Sequence, residues 1–487
     1  MGIVINQSIK NTIITYIGFA IGALNTLFMY VQFLGDTYYG LVGYILSAAN
    51  IMMPLMAFGV HNTLVKFYNE FETEKQKSQF LTFILFLPFI LIIPFSLIGY
   101  FGYHQIASLL SKKNFIVYDY VWQIPVIALC MGYFEIFYAW VKVHLQSVFG
   151  NFIKEVFLRI LITISLLAVY YNFITPVQFV FALMGIYLTM TIIMKLYALR
   201  VKMPSFQLVI PKNVKAIIWY CIFIILSGSV ANLLLEIDKF MLNFYIKIEN
   251  IAYYSVAIFI ATVIAVPSRA MHQITYPITA KLMSENKHDD LNNLYKKTSI
   301  TLQIIGGLIF IGIILNIHEL YKIMPADYSE GIFVVFVIGL SKYFDLILGN
   351  NNAIIFNSKY FSAVLILGLL LIGVTISLNI VFIPKFGIKG AAFATLISIT
   401  LYSLSKLLFV VFKMKLYPFT IATLKSFALL IVTFVLFYFW DFGFNPVLNI
   451  VLKSILITAF YLGLSYYLKL SSDINYIINS VFKKIRN

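Results

Sequence analysis

Long apolar runs separated by short polar segments dominate the chain. Bounded by charged residues, Pro and Gly, they cover residues 11–31, 40–60, 80–103, 117–140, 152–171, 176–199, 216–236, 251–271, 299–319, 331–352, 361–383, 390–412, 419–440 and 446–468. A helix of about 20 apolar residues crosses the hydrocarbon core of a bilayer. Lipid offers no partner for unpaired backbone groups, so such runs must be helical. The pattern predicts an all-α polytopic membrane protein with fourteen transmembrane helices.

The distribution of Lys and Arg residues predicts the orientation of these helices in the membrane. If the N-terminus is cytoplasmic, 24 of the 35 basic residues fall on the cytoplasmic side. Seven then lie outside, and four lie within spans: Arg159, Lys342, Lys406 and Lys453. This bias follows the positive-inside rule, and the even number of spans predicts that both termini are cytoplasmic.

Composition agrees with a lipid environment. Of the 487 residues, 61% are hydrophobic and 11% are charged, whereas a soluble protein has about 25% charged residues. The net charge of +16 fits a basic inner face on anionic lipid, and no nucleic-acid partner is predicted. Cys130 and Cys221 both lie in apolar runs, so no disulfide framework is expected. The polar first nine residues lead straight into a long apolar run, and we expect no cleaved signal peptide.

The connections between spans are too short to hold a soluble domain. The two longest polar stretches, residues 61–80 and 272–299, mix apolar with charged residues. We expect amphipathic helical segments at the inner interface, and a solvated loop is the alternative for their charged centres.

Short sequence matches indicate an internal repeat. "ITISL" (162–166) matches "VTISL" (374–378) at an offset of 212, and "TYYGLVGYI" (37–45) resembles "AYYSVAIFI" (252–260) at an offset of 215. Six helices per repeat is an even number, so both repeats would enter the membrane in the same direction. That predicts parallel repeats about an axis normal to the membrane.

The stretch "LNIVFIPKFGIKGAAFATLIS" carries the most specific motif. Pro and Gly predict a tight outer turn between two spans, and Gly390, Ala394 and Ser398 share a small-residue helix face that allows close packing. The stretch resembles the signature of the polysaccharide-biosynthesis flippases in the multidrug/oligosaccharidyl-lipid/polysaccharide (MOP) superfamily. The matching positions are Ile383, Pro384, Lys385, Phe386, Gly387, Ile388, Lys389, Gly390, Ala391, Ala392, Ala394 and Thr395. "LEIDKFMLNFYIKIENIAYYSVA" (235–257) is similar to this family as well.

The resemblance implies a fold, a cargo and a location. It implies two six-helix lobes, residues 1–205 and 206–415, around a V-shaped cavity, with two further helices and a cytoplasmic tail in residues 416–487. The cargo would be an undecaprenyl-diphosphate-linked oligosaccharide carried from the inner to the outer leaflet of a bacterial cytoplasmic membrane. A monomer among membrane lipids is expected, with other polysaccharide-assembly membrane proteins as partners.

A diphosphate in a bilayer needs cationic partners, and charges inside spans are functional candidates. Arg159 and Arg269 lie toward the cytoplasmic ends of their spans, and each could clamp the diphosphate through its bidentate fork. The alternative for Arg159 is a structural pair with Glu135. The alternative for Arg269 is an ordinary anchor at the inner interface.

Five further residues complete the predicted substrate site. Lys342 lies near the middle of its span, and a contact with Asp345, three residues on, is the alternative. Glu236, Asp238 and Lys239 cluster at the outer end of another span. The family resemblance favours Asp238 in the translocation path, and a helix-end ion pair is the alternative.

The remaining basic residues have simpler interpretations. Lys406 and Lys453 could snorkel to the interface. Lys385 and Lys389 could meet headgroups or sugars outside, although snorkelling is the default. No metal-ligand cluster, nucleotide motif or cofactor is predicted.

These observations lead to one hypothesis and two rivals. We expect a flippase for lipid-linked oligosaccharides that works by alternating access without covalent chemistry. A cation-coupled multidrug exporter of the same superfamily is the nearest rival, and it would need a cavity dominated by carboxylates. A membrane polysaccharide polymerase or ligase is the other, and the short outer loops argue against it.

Overall fold

The computed structural model describes residues 2–205, 207–228 and 230–486. Throughout these ranges the chain forms helices joined by turns, with no β-strand. The chain divides into two compact units, residues 1–255 and 256–487. The predicted all-α polytopic architecture is therefore confirmed.

The first unit contains twelve helices among its described residues. Two π-helical segments, Asn25–Leu34 and Ile153–Phe157, continue or join them. In chain order the helices are α1 (Gly2–Leu24), α2 (Asp36–Met56), α3 (Val60–Phe67), α4 (Glu74–Phe86), α5 (Phe89–Phe101), α6 (Tyr103–Leu110), α7 (Gln123–Val143), α8 (Ser147–Phe152), α9 (Leu158–Tyr170), α10 (Pro176–Val201), α11 (Val214–Gly228) and α12 (Val230–Tyr245). Helix α7 is the centre of the unit, because α2, α3 and α10 all pack against it.

The second unit is built around the long helix α15 (His288–Lys322). Helix α13 (Glu249–Thr262) crosses from the first unit into the second. The helices that follow are α14 (Val266–Ser284), α15 (His288–Lys322), α16 (Ile332–Ile347), α17 (Asn351–Phe356), α18 (Phe361–Met414), α19 (Ile421–Tyr438), α20 (Pro446–Tyr467) and α21 (Ser472–Arg486). Helices α16, α19 and α20 pack against α15 around a core that includes Ile304, Phe310 and Tyr343.

Ten helices in the described ranges are long and apolar enough to cross a membrane. Eleven of the fourteen predicted spans fall within them, because the 49-residue helix at 366–414 contains two spans. Predicted spans 152–171 and 331–352 fall on interrupted helices, where the π-helical segment and the turn after α16 break the regular helix. Predicted span 216–236 falls on α11 and α12, and residue 229 between them lies outside the described residues. The helices make this a multi-pass membrane protein.

The predicted turn between two spans lies inside α18. Gly387 adopts φ 58° and ψ −134°, which interrupts the helix at that residue and which a residue with a side chain adopts only under strain. A Cβ on Gly390 would lie 2.2 Å from the carbonyl oxygen of Phe382. Residues eight apart in a straight helix are about 12 Å apart along the axis, so the chain doubles back here as predicted.

Both long polar stretches are largely helical. The first contains α3 and then a turn, after which Thr73 and Gln76 form a capping box that begins α4. In the second, α14 ends at Ser284 and α15 begins at His288. The predicted helical segments are confirmed, and their position at the inner interface stays a prediction.

Helices α2 and α13, which carry the two repeat segments at an offset of 215, contact each other. Thr37 Oγ1 donates to Glu249 Oε1 at 2.8 Å, and the Tyr253 hydroxyl donates to Asp36 Oδ2 at 3.0 Å. These contacts join the starts of α2 and α13 within the first unit. The repeat, its V-shaped cavity and the lobe boundaries at residues 205 and 415 stay predictions.

Candidate functional site

A group of charged side chains lies within the apolar helices of the first unit. Lys154 Nζ is 2.5 Å from Glu135 Oε1, and Arg159 Nη1 is 2.7 Å from Glu155 Oε2. Lys142 Nζ lies 3.7 Å from the centroid of the Tyr138 ring on the same helix. We call Glu135, Lys142, Lys154, Glu155 and Arg159 the N-terminal charge cluster.

The π-helical segment at 153–157 shapes this cluster. A π-turn shifts the helical register and frees backbone carbonyls, and such turns are frequent at functional sites. The carbonyl of Arg159 accepts hydrogen bonds from Asn25 Nδ2 at 3.0 Å and Thr163 Oγ1 at 2.8 Å. Asn25 itself is buried. The backbone at Arg159 is therefore held by side chains from two helical segments.

Arg159 lies across a glycine groove on α1. A Cβ on Gly18 would lie 2.7 Å from Arg159 Nη1, and one on Gly22 would lie 2.9 Å from Arg159 Nε. These distances are shorter than van der Waals contact, so only glycine leaves room for the guanidinium. Two small residues four apart on one helix are the usual device for close helix packing in membranes.

The cluster holds more cations than carboxylates and is open on one side. Its three basic residues face two acidic ones, and 46% of the Lys154 side chain and 28% of the Arg159 side chain are exposed. The proposed pair of Arg159 with Glu135 is wrong: Arg159 binds Glu155, and Glu135 binds Lys154. The i, i+4 spacing of Glu155 and Arg159 was the sequence signal for that pair.

The acidic and basic residues at the end of the seventh predicted span separate into two contacts. Lys239 Nζ is 2.5 Å from Glu236 Oε2, so the ion-pair alternative holds for these two residues. The Tyr254 hydroxyl donates to Asp238 Oδ2 at 2.7 Å, and Asp238 is buried. A role for Asp238 in the translocation path stays a prediction.

A second charged group lies within the helices of the second unit. Lys406 Nζ is 3.0 Å from Asp345 Oδ1 and 3.2 Å from Asn352 Oδ1. Ser403 Oγ donates to the same Asp345 oxygen at 2.9 Å, and the Lys406 ammonium lies 4.2 Å from the centroid of the Tyr402 ring. We call Lys342, Asp345, Asn352, Ser403 and Lys406 the C-terminal charge cluster.

A small cavity of about 30 Å³ adjoins this cluster, which is enough to admit a water molecule. Lys342, Asp345 and Lys406 line it together with Ser268 and His272 of α14. The C-terminal charge cluster therefore reaches α14 as well as α16 and α18.

Arg269 lies on α14, three residues before His272. Its side chain is exposed and makes no hydrogen bond or ion pair with any residue that the structure describes. An exposed and unpaired guanidinium is available to a ligand, but it is also what an interfacial anchor would show.

The structure changes the interpretation of two lysines. Asp345 forms its ion pair with Lys406 rather than with Lys342, although Lys342 interacts electrostatically with it. Snorkelling is wrong for Lys406, which is 1% exposed and pairs with Asp345. Lys453 is buried with Nζ 3.5 Å from Asp441 Oδ1 in the connection after α19, and its snorkelling stays a prediction. The sequence signal for Lys406 was a charge inside an apolar run.

The described residues contain no group of three or more His, Cys, Asp or Glu side chains arranged to hold a metal ion. The chemical function available to the two clusters is to bind a ligand. Their ammonium and guanidinium groups can accept an anion as a replacement for the carboxylates that hold them now.

Comparison with known proteins bears on the fold and on one stretch of sequence. No family model matches the chain. The chain is 28% identical over 178 residues to "Probable flippase AglR" of Haloferax volcanii, a match that covers 34% of this chain and 36% of that protein. The match thus spans about a third of the length of this relative.

Solved structures match over most of the chain. The lipid II flippase MurJ in an inward closed conformation gives a TM-score of 0.74 at 17% identity, covering 94% of this chain and 99% of that one. An inward-facing multidrug resistance MATE transporter of the MOP superfamily gives 0.60 at 13% identity, covering 86% and 99%. A MOP superfamily transporter from Pyrococcus furiosus, whose pocket of reverse polarity suggests a different function, gives 0.58 at 14% identity, covering 84% and 95%. The resemblance found in the sequence is confirmed at the level of the fold: this chain has the fold of the MOP superfamily transporters.

Proposed function

We propose that the protein is a flippase for a polyprenyl-diphosphate-linked oligosaccharide. It moves the headgroup from the inner to the outer leaflet of a bacterial cytoplasmic membrane, in which both termini are cytoplasmic. The transport mechanism is alternating access, with no covalent chemistry. The fold shared with a lipid II flippase and the sequence similarity to a probable flippase support this assignment.

The observation that carries the proposal is the pairing of cations inside apolar helices of both units. Lys154 and Arg159 in the first unit and Lys406 in the second each contact a carboxylate. Charges within transmembrane helices are costly and are kept where they serve a pathway or a ligand. A diphosphate is the part of the proposed cargo that needs such cations.

The carboxylates act as placeholders for the diphosphate. A buried cation without a partner is strongly unfavourable, so the empty protein needs a counter-charge at each site. Asp345 keeps 44% of its side chain exposed while Lys406 keeps only 2% exposed. The carboxylate is thus the more accessible partner, and it would swing away when a phosphate oxygen approaches the ammonium.

The membrane potential supplies part of the driving force. An inside-negative potential favours outward movement of an anion by about 2.3 kcal/mol per charge per 100 mV. Two uncompensated phosphate charges would gain roughly 4–5 kcal/mol at that potential. The cations available to the diphosphate are Arg159 and Lys154 in the first unit. In the second unit they are Arg269, Lys342 and Lys406.

A cation-coupled multidrug exporter is the competing function, because MATE transporters share the fold. Such an exporter needs a binding region dominated by carboxylates. In the N-terminal charge cluster three cations face two carboxylates, and in the C-terminal charge cluster Lys342 and Lys406 face only Asp345. The excess of cations in both clusters favours an anionic cargo.

Deletion of the gene tests the proposal in cells. The expected result is accumulation of polyprenyl-diphosphate oligosaccharide in the inner leaflet, relieved by the wild-type gene and not by a copy carrying Lys406→Met and Asp345→Asn. Normal export of the glycan together with increased sensitivity to cationic drugs would favour the multidrug exporter instead.

A further inference from the structure

The second unit contains a large pocket at the start of α16, whereas the C-terminal charge cluster lies near the end of that helix. The pocket measures about 730 Å³, which is within the range of small-molecule binding sites. It lies where α15 and α19 end and where α16 and α20 begin. We call it the Lys453 pocket after the lysine buried in its wall.

Charges of both signs line the Lys453 pocket in equal number. Glu319 Oε1 is 2.5 Å from Lys322 Nζ, and Asp441 Oδ1 is 3.5 Å from Lys453 Nζ. Glu330 and Lys389 complete the set. With three cations and three carboxylates the wall has no net charge, which selects neither a strong anion nor a strong cation.

Two of these charges are held away from solvent. Lys453 is 4% exposed and the Glu319 side chain is 6% exposed. The oxygen and nitrogen atoms of such groups must be satisfied, so a ligand that enters must bring both donors and acceptors. A purely apolar ligand such as a lipid tail would desolvate these ion pairs further and add no hydrogen bond to them.

Aromatic rings supply the rest of the wall. Phe333, Phe336 and Phe439 are partly or largely exposed at the pocket, with Phe434 and Tyr438 beside them. Lys389 Nζ lies 5.9 Å from the centroid of the Phe333 ring. Exposed ring faces next to charged donors and acceptors suit a ligand with both an apolar face and many hydroxyls.

We propose that the Lys453 pocket binds a saccharide. A sugar ring offers C–H faces to Phe333 and Phe336, while its hydroxyls donate to Glu319 and Glu330 and accept from Lys389 and Lys453. The inference rests on the proposed function, since the cargo of that function carries a glycan. The pocket would hold the glycan at the end of the second unit that the positive-inside pattern predicts to face outward.

Direct binding tests the proposal without transport. The probe is the oligosaccharide pool released by mild acid from the lipid-linked oligosaccharides of the source cells. Saturation-transfer NMR titrations use the full-length protein in nanodiscs of phosphatidylcholine and phosphatidylglycerol. The wild type should transfer saturation to the sugar ring protons with a measurable dissociation constant.

Variants locate the site. Glu330→Gln and Lys389→Gln change exposed residues and should leave folding intact, yet each removes a charged hydrogen-bonding group from the pocket wall. Each should raise the dissociation constant about tenfold, the equivalent of losing one such hydrogen bond. Phe336→Ala should act in the same direction. The matched control Lys413→Gln, at an exposed lysine near the other end of α18, should leave sugar binding unchanged.

The outcomes separate this inference from the proposed function. Absence of saturation transfer with the wild type, or equal transfer from all three pocket variants, overturns the saccharide site even if the protein flips its lipid. Sugar binding that the pocket variants weaken, in a protein that flips no lipid-linked oligosaccharide, supports the pocket and rejects the proposed function. Signal that disappears when phosphatidylethanolamine is added to the nanodiscs would assign the pocket to the ethanolamine headgroup and overturn the saccharide assignment.

Discussion

The ammonium of Lys406 on α18 lies 3.0 Å from Oδ1 of Asp345 on α16. The pair joins two helices from residues 61 apart in the chain. The lysine is almost fully enclosed, and its other contacts are Asn352 and the Tyr402 ring. The pair therefore fixes the register of α16 against α18 and holds a cation ready inside the membrane.

Removing one partner of this pair should destabilise the protein. Asp345→Asn leaves the enclosed ammonium without its counter-charge, which costs on the order of 3 kcal/mol. Lys406→Met alone should be milder, because Asp345 is open to its surroundings. The double variant Asp345→Asn, Lys406→Met should recover most of the loss, since it leaves no buried charge without a counter-charge. Thermal unfolding of the purified proteins measures this, and equal melting temperatures for Asp345→Asn and the double variant would contradict it.

Arg159 should couple energetically to Glu155 and not to Glu135. The Arg159 guanidinium contacts Glu155, whereas Glu135 contacts Lys154. A double-mutant cycle of Arg159→Gln with Glu155→Gln should give a coupling of about 1 kcal/mol in unfolding free energy, because groups in contact are not additive. The matched cycle with Glu135→Gln should give a smaller value, and the reverse order would contradict the observed pairing.

Transport should depend on the arginine fork as well as on its charge. Arg159→Gln should abolish complementation of the deletion strain while folded protein remains in the membrane. Arg159→Lys keeps the charge and loses the bidentate geometry, so partial activity is expected. Full activity of Arg159→Gln would remove Arg159 from the substrate site.

The groove on α1 should tolerate no side chain. A Cβ on Gly18 would lie 2.3 Å from the carbonyl oxygen of Glu155, so Gly18→Ala must push α1 away from α8 and the π-helical segment. We expect a lower melting temperature and less folded protein. Gly185→Ala on α10 is the matched control, because a Cβ there meets no atom within 4 Å. The control should be neutral or stabilised by up to about 1 kcal/mol through helix propensity. Equal effects of the two substitutions would rule out the groove.

The sequence alone predicts the features that depend on residues close together in the chain. The positions of most spans, the reversal at Gly387 and the glycine at 390 follow from apolar runs and from the special backbone freedom of glycine. The Glu155–Arg159 pair and the Gly18–Gly22 spacing were also readable from helix periodicity.

The sequence alone does not predict which residues the buried charges contact. Asp345 has Lys342 three residues before it, and a local rule favours that contact, but tertiary packing brings Lys406 closer. Likewise Lys154 reaches Glu135 across 19 residues. Which of two possible cations a carboxylate meets depends on how helices rotate against one another, and single-sequence patterns do not determine that rotation.

Topology is the simplest physical prediction of the flippase account. Cysteines introduced at Lys113 and Lys389 should react with an impermeant thiol reagent from outside, and cysteines at Lys287 and Lys415 should react only after permeabilisation. The native Cys130 and Cys221 are both buried and provide a low background. Labelling of Lys287→Cys in intact cells would contradict cytoplasmic termini.

The most direct test of the central claim is translocation in proteoliposomes. The cargo is the polyprenyl-diphosphate oligosaccharide purified from the deletion strain, and its accessibility to an external glycosidase reports which leaflet holds it. The wild-type protein should move the lipid across the bilayer, faster when a potential favours movement of the anion. The Asp345→Asn, Lys406→Met variant, which should fold as well as the wild type, should not. Equal rates for the two proteins would show that the paired cations play no part in moving the diphosphate, and absence of any movement by the wild type would contradict the flippase account itself.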